Sequence, residues 1–143
     1  MRANIPQNIL VDTGFWFALY DVKDSNHVRA GQIANVIQRS TILIPWPSLY
    51  EVLNTKFTKD KIVLGRFETF LEKPSTVRIN DTSYRDKALE ETLTSPRPIS
   101  LVDWVIRMML MDVNLRINYL ITFNERDFVD ICQRRRIEII YGD

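Results

Sequence analysis

The sequence predicts a three-layer α/β sandwich in which a central parallel sheet of four to five strands carries helices on both faces. Two observations predict it. Short apolar runs with strand character alternate with segments whose apolar residues recur at helical spacing. The runs are apolar throughout, as strands covered on both faces are. At 143 residues the chain reads as one domain, 1–143, long enough to bury roughly two-thirds of the surface its unfolded form exposes.

Taken in order, Ile9 to Val11 form a buried strand, and "TGFWFALYD" after Asp12 begins a helix. "SNHVRAGQIANVIQRS" places Val28, Ile33, Val36 and Ile37 at close to helical spacing, and "TILIP" is a second strand ended by Pro45. "PSLYEVLNTKF" predicts one helix with Leu49, Val52, Leu53 and Phe57 on a shared face. "KIVLGRFETFLEK" predicts another, using Ile62, Val63, Phe67, Phe70 and Leu71. "TVRIN" is a third strand, "TSYRDKALEETL" a polar helix, "SPRPI" a loop, and "SLVDWVIRMMLM" a helix apolar enough to be buried. "INYLIT" gives the fourth strand. A short helix around Phe128 to Gln133 leads to the fifth, "IEIIY".

Composition narrows the chemistry. With 45% hydrophobic residues, 26% charged and 4 Gly, the chain is an ordinary globular one. No apolar run approaches the roughly 20 residues that span a bilayer, and no signal-like stretch opens the chain, so a soluble cytoplasmic protein is expected. One cysteine, Cys132, excludes an internal disulfide. One histidine, His27, argues against a His/Cys zinc site, which leaves oxygen ligands for any metal. A net charge of +1 points to local rather than enveloping contact with any nucleic acid. The basic run Arg134, Arg135 and Arg136 is expected at a solvated helix end.

The acids are more informative. Asp12 ends the first strand, and open parallel sheets bind ligands outside the carboxyl ends of their strands. Three further segments share one spacing: "SLYE" (Ser48 to Glu51), "SLVD" (Ser100 to Asp103) and "NERD" (Asn124 to Asp127). Each fits a capping box at a helix start, and each acid there also gains from the helix dipole. The alternative is convergence. "NERDF" follows the fourth strand directly and so lies at the same sheet edge as Asp12. Asp103 heads a helix too apolar to be exposed, where a carboxylate is costly unless paired or metal-bound. Carboxylates gathered in one crevice repel, and a hard divalent cation, Mg²⁺ or Mn²⁺, relieves that repulsion while bridging to phosphate.

The ordered set "ILVDTGFW", "PSLYEVLN", "ISLVD" and "LITFNERDF" resembles the PIN-domain ribonucleases, most closely the compact toxins of the VapC type, from Ile9 to about Tyr141. "DSNHVRA" after the first helix adds to the likeness. The resemblance implies a metal-dependent endoribonuclease that leaves 5′-phosphate and 3′-hydroxyl ends, with Mg²⁺ or Mn²⁺ as cofactor. It assigns catalytic and metal-holding roles to Asp12, Glu51 and Asp103, together with Asn124 or Asp127, and supporting roles to the hydroxyls of Thr13 and Ser100. As partners it implies RNA, a cognate antitoxin protein and a second copy of the chain in a homodimer, with no membrane.

His27 then needs no catalytic role, and Phe15, Trp16 and Phe17 are expected in the core or at a dimer contact. Two positions depart from the pattern: Gly14 stands where Asn or Ser is frequent, and Trp104 where a small residue is usual. With the uncharged Asn124, they motivate a second reading, a PIN-type domain weak or inactive in catalysis that binds RNA or protein. A phosphatase-like enzyme would want a second Asp at position 14. A nucleotide-binding module would want a glycine-rich phosphate loop, and none follows the first strand.

Overall fold

The computed structural model describes residues 7–140. β1 (Asn8–Val11) runs through Asp12 into α1 (Thr13–Tyr20), followed by α2 (His27–Val36) and β2 (Thr41–Pro45). Then come α3 (Trp46–Val52), α4 (Thr55–Lys59), α5 (Lys61–Leu71) and β3 (Thr76–Ile79). The second half contains α6 (Arg85–Thr94), α7 (Leu101–Met111), β4 (Tyr119–Ile121), α8 (Val129–Arg135) and β5 (Glu138–Ile140). Among the described residues these strands form one five-stranded sheet in the order β3-β2-β1-β4-β5. Every pairing is parallel. The three-layer α/β architecture read from the sequence is therefore the one observed.

Strand alternation builds the layers, since successive side chains leave a strand on opposite faces. Ile9, Val11, Ile42, Ile44 and Ile121 enter one core with Phe15, Trp16, Ile33, Phe57 and Phe67, from the helices of the first half. Leu10, Leu43 and Leu120 enter the other with Ala88, Val105, Ile106, Met109 and Ile131, from α6, α7 and α8, and with Phe128, which precedes α8. Trp16 anchors the first core, with ring centroids 5.1 Å from Phe67 and 4.8 Å from Phe70. Phe15 and Trp16 are fully buried and Phe17 packs against them, so this aromatic run is core.

Three local expectations are corrected. Val28 and Val36 point outward, at 71% and 61% exposure, while Ala30, Ile33 and Ile37 form the buried stripe of α2 and its end. Ile62 likewise faces solvent on α5. The single helix expected over "PSLYEVLNTKF" is two, because Asn54 adopts an extended backbone and its side chain accepts from Phe57 N at 3.0 Å, capping α4. An asparagine that bonds nearby amides competes with helix continuation and favours a fresh start. Its Nδ2 also donates to the Glu51 carbonyl at 2.9 Å, tying the break to the end of α3. Asn54→Ala is expected to destabilise the domain by about 1 kcal/mol in urea unfolding; an unchanged midpoint would mean the cap is idle. The fifth strand is seen to Ile140, and Tyr141 lies outside the described residues.

Candidate active site

From β1 the chain builds outward in two directions, to β2 and β3 on one side and to β4 and β5 on the other. In open parallel sheets the crevice outside the strand ends at such a switch point is where ligands bind. Asp12 follows β1 there, and Thr122 follows β4. The Asp12 amide donates to the Ile121 carbonyl at 2.9 Å, so the ladder itself fixes one strand end against the other.

Asp12 is only 7% exposed. It is the N-cap of α1, with Oδ1 accepting from Thr13 N at 2.7 Å and Oδ2 from the Thr122 hydroxyl at 2.8 Å. Burial pushes its pKa up, the two hydrogen bonds pull it down, and the charges of Glu51 and Asp127 push it up again; the net direction is upward. A buried carboxylate in such surroundings is held rigidly at an energetic cost. Thr13 links it to the second acid: its hydroxyl donates to Glu51 Oε1 at 2.6 Å.

Glu51 reaches the crevice from the last turn of α3, not from a helix start. The capping-box reading of "SLYE" is thereby overturned, because α3 begins at Trp46, two residues before Ser48, with Pro47 in its first turn, where the missing N–H breaks no helical bond. Ser48 lies inside the helix, fully buried, its hydroxyl without a partner. "SLVD" does cap: the Ser100 hydroxyl accepts from Asp103 N at 3.2 Å. The Asp103 carboxylate turns instead toward the crevice, where Asn124 Nδ2 approaches its Oδ2 at 3.4 Å. Burial first, then the charge of Asp12, a hydrogen bond and the charge from Asp127, and the charge of Glu51 push Asp103 up to about 7.

"NERD" forms a single 3-10 turn, Glu125–Asp127, ahead of α8, and Asn124 makes no side-chain cap. Its Nδ2 donates to Asp127 Oδ2 at 2.8 Å, and its backbone N–H donates to the Thr122 hydroxyl at 2.9 Å. Asn124 therefore sits as a neutral donor between two carboxylates, and Asp127 brings the fourth charge. The five acid or amide residues picked out in the sequence meet in one place, with Thr13 between the first two and Ser100 fixing the start of α7. Thr122 was not picked out. Fully buried, it joins Asp12 to the Asn124 turn, and the only signal for it was a hydroxyl ending an apolar strand two residues before an asparagine.

His27 Nδ1 donates to the Ala18 carbonyl at 2.8 Å, binding α2 to α1. A side chain at the exposed Gly14 would meet nothing within 4 Å. Trp104 is buried in the second core and makes a cation–π contact with Arg107, 4.9 Å from ring centroid to Cζ, so its bulk is absorbed there. The arginine run ends α8, with Arg136 in the left-handed region at φ 58°.

Comparison with known proteins finds no matching family model and no matching curated protein. Among solved structures the chain is similar to VapC20 of Mycobacterium tuberculosis, a toxin that cleaves the sarcin-ricin loop. The TM-score is 0.68 at 17% identity, over 85% of this chain and 94% of that one. The chain has the PIN-like fold. At that identity the likeness concerns architecture alone. No helix among the described residues is long and apolar enough to cross a membrane.

The donor set suits a hard divalent cation. All its donor atoms are oxygens, and Asp103 is driven toward protonation by burial and then by acidic neighbours whose charge a cation would offset. Among the described residues no group of three or more His, Cys, Asp or Glu side chains is arranged to hold a metal ion. A Mg²⁺ ion here would rest on one or two carboxylates, with waters and a substrate phosphate completing its shell.

Proposed function

We propose that the chain is a metal-dependent endoribonuclease, hydrolysing RNA phosphodiesters with Mg²⁺ or Mn²⁺. The observation that carries the proposal is the meeting of Asp12, Glu51, Asp103 and Asp127, from four separate segments, at the sheet's switch-point crevice, with Asp103 raised to about 7. Carboxylates that serve only as helix caps have no reason to be brought against one another at an energetic cost; perturbed groups gathered in a cleft are what a functional site needs.

Asp12 is the fixed anchor, immobilised from both sides by Thr13 and Thr122. Glu51, exposed and aligned by the Thr13 hydroxyl, faces the entrance. Asp103 and Asp127 form the opposite wall, spaced by the Asn124 amide, whose carbonyl oxygen offers a further neutral ligand. These residues would hold the cation. When bound it supplies the Lewis acidity that makes water nucleophilic near neutral pH and offsets charge on the phosphodiester oxygens. With that chemistry supplied, no histidine base is needed, in keeping with the structural bond that occupies His27.

The wider reading is a cytoplasmic toxin restrained by a cognate antitoxin and working as a homodimer. The protein similar in fold is an RNA-cleaving toxin, and Trp46 and Tyr50 present an exposed aromatic pair on α3, at 38% and 77% exposure, suited to a protein contact. The test is cleavage of a mixed RNA substrate with the divalent ion controlled. Cleavage is expected to vanish in EDTA and to return with excess Mn²⁺ or Mg²⁺. Cleavage that persists in chelator would exclude the metal mechanism, and none under any condition would favour the binding-module reading.

A further inference from the structure

Arg107 stands in an almost wholly apolar stretch of α7 and is 7% exposed. It lies one helical turn beyond Asp103, so the two share a face. Its Nη1 donates to the Asp127 carbonyl at 2.7 Å and to Asp130 Oδ1 at 2.8 Å, and its Nη2 donates to Asp130 Oδ2 at 3.0 Å. The guanidinium lies over the Trp104 ring, with Cζ 4.9 Å from its centroid. From the other side Arg97 donates to Asp130 Oδ2 at 3.1 Å and to the Arg126 carbonyl at 3.3 Å. The turn that carries Asn124 and Asp127 is thus held at its back by two arginines, one of them rooted in the helix that carries Asp103.

We infer that Arg107 is a positioning residue of the acid crevice: by clamping the Asp127 backbone and Asp130 to α7, it sets the separation of Asp103 from Asp127. The inference rests on the nuclease reading above. The physical ground is that an ion pair whose arginine is buried and whose acid is partly exposed is a poor source of net stability, since an apolar side chain of similar volume in place of the arginine often serves as well. A planar fork held bidentately gives fixed geometry, which a lysine or an apolar residue does not. The Nε of Arg107 is left buried and unpartnered, so the placement satisfies the turn better than it satisfies the arginine. Trp104, the bulky residue after Asp103, adds a cation–π contact from its ring to the guanidinium.

The test is calorimetric titration of the full chain with Mn²⁺, without RNA, alongside thermal unfolding of the metal-free protein. In Arg107→Met the hydrophobic volume is kept and Asp130 retains Arg97, so the unfolding midpoint is expected to stay within a few degrees. Mn²⁺ affinity is expected to fall by roughly tenfold or more, the range typical of outer-sphere changes. Arg107→Lys, which reaches one acceptor but not the set, should lie between. Asp130→Asn, altering a partly exposed partner, should weaken Mn²⁺ binding in the same direction. Affinity equal to wild type in Arg107→Met and Asp130→Asn would overturn the inference and leave Arg107 a core ion pair; so would failure of both to fold. Absence of Mn²⁺ binding by the wild type would instead overturn the nuclease reading beneath it.

Discussion

Asp12→Asn is expected to abolish RNA cleavage while leaving the domain folded. The substitution is nearly isosteric, and the contacts that hold Asp12 survive it. The amide oxygen still accepts from Thr13 N, and the amide nitrogen can donate to the Thr122 hydroxyl, which turns to accept. What is lost is one negative charge at the most rigid point of the crevice. Because that charge is buried beside Glu51 and Asp127, its removal relieves repulsion, and the metal-free variant should melt at or slightly above the wild-type temperature. Cation affinity and turnover move the other way. Changes to outer-sphere partners alone cost roughly ten- to a hundredfold, so loss of a direct ligand should lower kcat by more than about a hundredfold. Asp12→Ala would be a poorer experiment, since it also removes the cap of α1, worth about 1 kcal/mol. Gel-based cleavage with equal amounts of folded protein decides the point. Turnover within a few-fold of wild type would remove Asp12 from the catalytic set.

The sheet was legible because its strands are apolar on both sides: Leu10 looks like Ile9 and Val11 in the sequence, and each face finds its own core. The acids were legible because the residues around them carry punctuation, namely a strand end at Asp12, a serine cap before Asp103 and a turn after β4. Spacing alone misled at "SLYE". There the same pattern that caps α7 falls inside α3, and Glu51 reaches the crevice through the Thr13 hydroxyl, 38 residues away in sequence. Thr122 and Arg107 escaped for a related reason. Thr122 meets Asp12 across 110 residues and Arg107 meets Asp127 across 20, and neither pairing leaves a periodic or local trace. Their roles follow from strand order, which places β4 beside β1 and so brings the second half of the chain to the first acid. The outward valines of α2 are a milder case: periodicity marked the helix, but the alanine at position 30 took the core-facing place.

The strongest solution signature should be a reversal of stability order between wild type and Asp103→Asn as pH and metal are changed. Asp103 has an ordinary value of 3.8 and is pushed up to about 7 in the folded protein by burial and by its acidic neighbours. A carboxyl whose folded pKa is raised binds more protons in the folded than in the unfolded state. Its contribution to stability is therefore fully present below about pH 4 and is lost as pH rises through about 7. Asp103→Asn cannot lose it. In chelator the two proteins should unfold alike near pH 4.5. By pH 8 the variant should melt a few degrees higher, given that about 1 kcal/mol moves the midpoint of a domain this size by roughly 2–4 °C and that partial exposure of Asp103 screens part of the effect. Excess Mn²⁺ at pH 8 should invert the order. A cation that binds the folded state stabilises it in proportion to the logarithm of its concentration over Kd, and the wild type, with the fuller set of charged oxygens, gains more. The measurement is a set of thermal melts across pH with and without Mn²⁺. Parallel curves for the two proteins in chelator would show that Asp103 is not held against its neighbours' charge. A wild type unmoved by Mn²⁺ would show that the crevice does not use that charge to hold a cation. Burial first, and then repulsion from Asp12, Asp127 and Glu51, hold Asp103 up in the metal-free state; the repulsion is the part that a bound cation relieves, so that part of the stability given up without metal is regained when the ion binds.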